Sequence, residues 1–104
     1  MKSIIHQEEG TCYLCNMLQI HCLHTYTEEH HIFYGTANRK KSGKYGLKVR
    51  LCKKHHRGDI TGNREAVHFN KEHDLMLKRI GQATFEQRWG SRENFRKEFG
   101  QSWL

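Results

Sequence analysis

The clearest alternation of apolar and polar residues lies near the middle of the chain. Residues 47–51 read Leu-Lys-Val-Arg-Leu, so every second side chain is apolar and the two between them are basic. A period of two is typical of a β-strand with one buried face, and its basic face is expected to meet solvent or a ligand. The strand-like run His-Ile-Phe-Tyr at 31–34 predicts a partner strand. A polar, basic loop is expected between them over 35–46.

The last third of the chain predicts helices. Asn70 is a suitable N-cap, Thr84 with Gln87 has the spacing of a capping box that would begin a further helix, and Ser91 is a suitable cap for a last helix ending at Gly100. The apolar residues of these segments recur at helical spacing and predict core packing: Leu75, Met76, Ile80, Phe85, Trp89, Phe95 and Phe99.

These elements predict a small α+β fold in one domain over residues 1–104, with a helical part over 69–104. Hydrophobic residues make up 36% of the chain and charged residues 28%, so a core of this size alone is expected to be marginal. Four cysteines and nine histidines are the candidates for an additional crosslink that would stabilise the fold. The N-terminal sequence resembles no signal peptide, and we expect an intracellular protein, in which Cys and His sets bind metal more often than disulfides form.

Two short-spaced pairs of metal-ligating residues indicate a structural zinc site. Cys12 and Cys15 form a C-x-x-C pair, and Cys52 and His55 form a C-x-x-H pair of the same spacing. Zinc takes four such ligands in a tetrahedron, usually as two pairs from separate segments. The pairs therefore predict a Cys3His site that joins the first cysteine segment to the end of the basic strand.

An alternative set of ligands lies between the two pairs. Cys22, with His21 or His24, would replace Cys52 or His55 in a local zinc knuckle. A redox-active Cys12–Cys15 pair, in a small redox or metal-storage protein, is a further reading, although the sequence lacks the βαβ frame typical of thioredoxins.

The basic residues are concentrated rather than spread along the chain. The net charge is +7, and no acidic residue occurs from position 30 to position 58. Such a concentrated positive field predicts a nucleic-acid contact surface, and a solvated basic face is the alternative. The candidate contact residues are Arg39, Lys40, Lys41, Lys44, Lys48, Arg50, Lys53, Lys54 and Arg57.

Histidines near the middle of the chain complete the set of candidate functional residues. His30 and His31 are adjacent on or beside a predicted strand, so their side chains are expected to point to opposite faces and to take different roles. His56 directly follows the predicted zinc ligand His55, so folding of the zinc site would bring it near this pair. His68 is a further candidate beyond the glycine-rich 58–62 stretch.

The order of these motifs resembles the HNH endonuclease family, also called the ββα-metal or His-Me finger nucleases. The resemblance covers residues 12–68 and rests on Cys12-x-x-Cys15, Glu29-His30-His31-Ile32 and Leu51-Cys52-x-x-His55-His56. It implies a ββα-metal core in which His30 and His56 bind a catalytic divalent ion and His31 is the general base. Where the family often has another histidine this chain has Ile60, and His68 would supply the ligand. The middle asparagine of the family has no clear counterpart, and Asn38 is nearest.

The resemblance implies a metal-dependent hydrolysis of DNA phosphodiester bonds. It implies a structural Zn²⁺ and a catalytic divalent ion, Mg²⁺ or Mn²⁺, with Zn²⁺ or Ni²⁺ as alternatives. The small size and the glycine-punctuated basic loop look like those of compact HNH proteins from bacteriophages and prophages. This resemblance implies a location in the cytoplasm of a bacterial or phage-infected host cell and no association with a membrane. It also implies a homodimer or a larger phage or host assembly. The alternative function is a non-catalytic, zinc-stapled nucleic-acid binding module.

Overall fold

The structure is a computed structural model that describes residues 1–7, 10–20 and 26–104. The described part folds as a small α+β protein with a two-stranded sheet. In chain order the elements are α1 (Tyr13–Met17), β1 (Thr27–His31), α2 (Asn38–Lys44), β2 (Lys48–Cys52), α3 (Lys53–His56), α4 (Lys71–Arg88) and α5 (Arg92–Phe99). Within the described ranges, no helix combines the length and apolar character needed to cross a bilayer.

The two strands pair antiparallel, with His30 opposite Val49. The strand predicted over 47–51 is confirmed as β2, in which Val49 and Leu51 are buried and the alternating basic residues Lys48 and Arg50 are half-buried. The strand predicted over 31–34 is wrong, because β1 ends at His31 where that strand was expected to begin. Ile32 and Phe33 instead turn into the core and are buried. The Ile32 N–H still donates to the Leu47 carbonyl (3.1 Å), but the apolar side chains of this segment serve core packing.

The predicted loop over 35–46 is also wrong, because it contains the helix α2. This helix has one buried side chain, Ser42, and therefore shows no apolar stripe. The Ser42 hydroxyl accepts a hydrogen bond from the Phe33 N–H (3.2 Å) and donates one to the Leu47 carbonyl (2.5 Å). A single serine thus connects the segment after β1 to the start of β2. Because α2 is held by this polar side chain and not by an apolar face, the hydrophobic pattern of the sequence did not predict it.

Two of the three helix starts that were predicted from capping residues are present in the structure. Asn70 caps α4, and Ser91 caps α5, which ends at Gly100 in the left-handed conformation at φ 86°, so both predictions are confirmed. The helix start predicted at Thr84 is wrong. Its hydroxyl donates to the Ile80 carbonyl (2.8 Å), a bond within the preceding turn, and α4 continues through it.

Aromatic side chains join the sheet to the C-terminal helices. The Phe33 ring packs against Phe95 and Phe99, at centroid distances of 5.2 and 4.7 Å. Gly81 lets α4 approach this cluster, because a Cβ atom there would lie 2.9 Å from Phe33 Cε2. Phe85 is buried as predicted, while Trp89 remains 40% exposed. The packing holds the residues after β1 against a rigid helical layer.

Candidate functional site

The first metal-ligating cluster consists of Cys12, Cys15, Cys52 and His55, which are all buried. Cys12 caps α1 and Cys15 lies one turn into it, whereas Cys52 ends β2 and His55 lies in α3. The His55 Nδ1 lies 3.6, 3.3 and 3.4 Å from the sulfurs of Cys12, Cys15 and Cys52. Ligands about 2.1–2.3 Å from a tetrahedral zinc are separated by roughly 3.5–3.8 Å. The predicted Cys3His group therefore has a spacing that could hold zinc.

Two cysteines of this cluster differ in their electrostatics: burial raises the pKa of Cys52, whereas that of Cys12 is lowered. Burial opposes ionisation of Cys12, but hydrogen bonds from the His55 ring and from backbone N–H groups lower its pKa to about 6. The thiolate is the form of cysteine that binds metal. The alternative ligands Cys22, His21 and His24 lie outside the described residues. The four residues of the described cluster already supply a complete tetrahedral set.

The second cluster consists of His30, His56 and His68, and their ligating nitrogens lie within 4.8 Å of one another. His30 comes from β1, His56 from the last position of α3, and His68 from the segment before α4. Their ring centroids are 5.2 Å apart for His30–His56, 5.3 Å for His30–His68 and 5.6 Å for His56–His68. The structure thus brings together three residues that are far apart in the sequence.

His30 is the most buried member of this histidine cluster, at 2% exposed. Its Nε2 atom is buried and has no hydrogen-bond partner among the residues that the structure describes. Burial, followed by the charges of His56 and His68, lowers the pKa of His30 to about 3. The ring is therefore neutral at ordinary pH, and a neutral imidazole with an unused nitrogen is a suitable metal ligand.

Glu28 orients His56 from outside the cluster. The His56 Nδ1 lies 2.8 Å from Glu28 Oε1, and the Arg57 guanidinium also binds this carboxylate. Glu28 and His30 are two residues apart on β1 and share a face of the sheet. When the imidazole donates its Nδ1 proton to a carboxylate, Nε2 is left as an acceptor for a metal. Glu28 could not be found from the sequence, because His56 and Arg57, the partners that connect it to the cluster, are 28 and 29 residues away.

Replacing Glu28 by glutamine is expected to weaken divalent-ion binding at the histidine cluster about 10- to 100-fold. The amide keeps the size of the side chain but removes the charge that fixes the His56 ring. The measurement is a Mn²⁺ titration followed by electron paramagnetic resonance of the free ion. Glu86→Gln is the matched control, since Glu86 also binds an arginine but on α4, through Arg92. Equal affinities for the two variants would contradict the assigned role.

His31 takes a different position from its neighbour His30. It lines a surface depression together with Gly35, Thr36, Arg39, Lys40 and Gly43. Gly43 leaves room for its ring, because a Cβ there would lie 3.3 Å from His31 Nε2. Burial and then the charge of Arg39 lower the pKa of His31, which favours the neutral ring. The His30 ring lies in the buried cluster and the His31 ring in the basic depression, so the two side chains point in different directions, as strand geometry predicts.

Asp74 and Lys78 of α4, which were not predicted from the sequence, contact Tyr34 beside the histidine cluster. The Tyr34 ring lies 4.9 Å from the His68 ring, and its hydroxyl donates to Asp74 (3.0 Å). Lys78 binds the same carboxylate (2.8 Å) and lies 4.5 Å from the centroid of the Tyr34 ring. The i, i+4 spacing of Asp74 and Lys78 was the only local signal, and it is common on exposed helices.

The predicted basic contact residues fall into two groups. Several have partners within the protein: Arg50 donates to Thr27, Arg57 binds Glu28, Lys48 lies 3.4 Å from Glu29, and Lys41 donates to the Glu98 carbonyl. Arg39, Lys40, Lys44 and Lys53 are exposed, and Lys54 is half-buried. The exposed group, and in particular Arg39 and Lys40 beside His31, is available to a polyanion.

Two residues that bear on the family resemblance lie away from the histidine cluster. Ile60 stands fully exposed, and His68 rather than this position contributes the third imidazole. Asn38 begins α2 and donates to the Phe99 carbonyl (3.5 Å), so it ties α2 to α5.

Comparisons with known proteins identify no family for this chain. No protein-family model matches the sequence, and neither a curated protein nor a solved structure matches the chain.

Proposed function

We propose that this protein is a metal-dependent DNA endonuclease of the HNH type, with His31 as general base and His30, His56 and His68 as ligands of one divalent ion. The observation that carries the proposal is the convergence of these three imidazoles, one with a buried and unused Nε2, next to a histidine in a basic depression. The order of β1, β2 and α3 along the chain, with the ligands at the ends of β1 and α3, is compatible with a ββα-metal core.

The zinc cluster supports the proposal by fixing the helix that carries His56. His55 and His56 are neighbours in α3, a helix of 4 residues that is too short to be stable alone. Zinc bound by His55 and the three cysteines would anchor α3 to α1 and β2, and Glu28 would then set the direction of the His56 ring. The position of His56 in the reaction site would therefore depend on the metal bound by its neighbour His55.

The chemistry of phosphodiester hydrolysis matches the remaining residues. A divalent ion in the histidine cluster would supply Lewis-acid stabilisation of the developing charge and of the leaving 3′ oxygen. His31, neutral because of burial and the Arg39 charge, accepts a proton from the attacking water. Arg39 and Lys40 bind the phosphate backbone beside it.

DNA binding by these basic residues is expected to weaken steeply with salt. If about five phosphates are neutralised, the slope of log K against log salt concentration will be about −4 to −5. Fluorescence anisotropy with a labelled duplex between low and moderate salt measures this slope. A flat salt response would contradict the assignment of the exposed basic residues as the contact surface.

The second candidate function is a zinc-stapled nucleic-acid binding module without catalysis. The Cys3His cluster and the +7 charge favour it as much as they favour the nuclease. The histidine cluster favours the nuclease, because a binding module needs no group of three imidazoles in which one ring has a buried nitrogen without a partner among the described residues.

A set of histidine variants tests the proposal. In zinc-loaded protein, His30→Ala and His56→Ala are expected to lose Mn²⁺ binding and plasmid nicking together, while their zinc content and DNA affinity remain. Glu86→Gln serves again as the control that should behave as wild type. Nicking that persists after His30→Ala and His56→Ala would overturn the assignment of the catalytic metal site.

A further inference from the structure

The surface that leads away from the His31 depression is formed by α2 and is basic. Arg39 and Lys40 line the depression together with His31, and Lys44 lies one turn after Lys40 on the same face of the helix. All three basic side chains are exposed. The sequence has no acidic residue from position 30 to position 58, so α2 has no carboxylate of its own. The helix therefore presents a row of cations that starts beside His31.

The C-terminal end of α2 lies against a half-exposed tryptophan. Tyr45 directly follows α2, and its carbonyl accepts a hydrogen bond from Trp89 Nε1 (3.1 Å). The Tyr45 and Trp89 rings also meet edge to face, with centroids 5.4 Å apart. These two contacts fix the indole, which nevertheless remains 40% exposed. Lys44 Nζ lies 5.2 Å from the centroid of the Tyr45 ring, so a cation stands beside the aromatic pair.

Trp89 is also close to the His31 depression. Gly43 packs against His31, since a Cβ atom at Gly43 would lie 3.3 Å from His31 Nε2. Tyr45 is two residues further along the chain, and two residues span at most about 7 Å. A strand whose phosphates lie along α2 can therefore have one base at Trp89 and a phosphodiester bond beside His31.

The acidic residues that flank this surface do not cancel its charge. Each of them is offset by a basic side chain outside the exposed row: Glu29 binds Lys48 (3.4 Å), Glu86 binds Arg92 (3.1 Å), the backbone carbonyl of Glu98 binds Lys41, and the exposed Glu93 is matched by the exposed Arg88. The exposed cations of α2 are therefore in excess. Cations beside an exposed aromatic ring are typical of surfaces that bind single-stranded nucleic acid, where the cations bind phosphates and the ring stacks on a base.

We propose that Trp89 is a stacking platform for an unpaired base of a DNA strand whose phosphates lie along α2. The proposal rests on DNA being the substrate, as proposed above, and adds the form of DNA that the site takes. A base within a duplex is already paired and stacked, so its face is available to the indole only at the cost of unstacking, whereas a base in a single strand, a flap or a gap is available directly. DNA with a single-stranded part next to the bond to be cut is therefore the expected substrate.

The test follows the fluorescence of Trp89 in protein with the Trp103→Phe substitution, which removes the other tryptophan of the chain. No divalent ion is added, so no strand is cut. A short oligothymidylate is expected to quench this fluorescence on binding, because the thymine ring stacks on the indole. A blunt duplex of the same length is expected to bind with little quenching.

Substitutions of Trp89 measure what the stacking contributes to affinity. By fluorescence anisotropy with a labelled oligothymidylate, Trp89→Leu is expected to bind about 5- to 100-fold more weakly than wild type, while its affinity for the blunt duplex changes little. Trp89→Phe keeps an aromatic face and is expected to retain most of the affinity. Phe69→Leu is the matched control, since Phe69 is also an exposed aromatic residue, at 63%, but lies before α4.

Two results would overturn the stacking platform. One is equal affinity of wild type and Trp89→Leu for the single strand, and the other is oligothymidylate binding that leaves the Trp89 fluorescence unchanged. If Trp89→Leu melts at a lower temperature than wild type, the quenching result alone decides. Plasmid nicking by wild-type protein with an added divalent ion is measured separately. Stacking without nicking would reject the nuclease and keep the platform, whereas nicking without stacking would reject the platform alone.

Discussion

Substitution of Cys12 by serine is expected to release the structural metal and to unfold the protein at physiological temperature. Cys12 belongs to the Cys3His group that could hold zinc, and its sulfur also caps α1 by accepting from the Cys15 N–H (3.5 Å). Structural zinc contributes about 10–16 kcal/mol of apparent binding free energy, which is folding free energy in a small domain. Metal analysis of the purified variant and thermal unfolding followed by circular dichroism measure both losses.

Cys22→Ser is the control for this prediction. Four ligands complete a tetrahedral site, so the fourth cysteine of the chain is not needed and zinc content and melting temperature are expected to match wild type. Loss of zinc from both variants would favour the local zinc knuckle, in which Cys22 replaces Cys52 or His55 and Cys12 is kept. Zinc retained in Cys12→Ser would contradict the assignment of Cys12 as a ligand.

Substitution of His31 by alanine is expected to reduce the rate of DNA cleavage about 10²- to 10⁴-fold, the usual contribution of a general base. The His31 ring lies outside the histidine cluster, so divalent-ion binding is expected to persist. It is also remote from the Cys3His group, so the zinc content and melting temperature are expected to change little. Single-turnover nicking of supercoiled plasmid measures the rate.

Lys40→Ala separates the chemical step from binding. Lys40 lines the same depression as His31 but carries only a phosphate-binding charge, so this variant should lose DNA affinity while its rate at saturating protein changes little. A His31→Ala protein that cleaves at the wild-type rate would show that another group activates the water.

The parts of the fold that could be predicted are those that local spacing specifies. Alternation identified β2, and the side chains of Asn70 and Ser91 identified the starts of α4 and α5. The helix α2 could not be predicted, because it is held by the hydroxyl of Ser42 rather than by an apolar face. Local rules failed wherever a contact across the fold decided the conformation.

The candidate site shows the same division. The two cysteine-containing pairs and the adjacent histidines could be selected from spacing alone, since metal ligands recur at short intervals. His68 was a candidate ligand from the family resemblance, but only the fold shows its ring beside His30 and His56, and only the fold shows that Glu28 holds the His56 ring. These contacts link β1 to segments more than twenty residues away, and no local pattern specifies them.

The most direct test of the central claim is a plasmid-nicking assay with wild-type protein whose zinc content has been measured, across Mg²⁺, Mn²⁺, Ni²⁺ and Zn²⁺. We expect about one tightly held zinc per chain and conversion of supercoiled plasmid to nicked circles only when a further divalent ion is added. Zinc-loaded, DNA-binding protein that nicks no plasmid with any of these ions would contradict it.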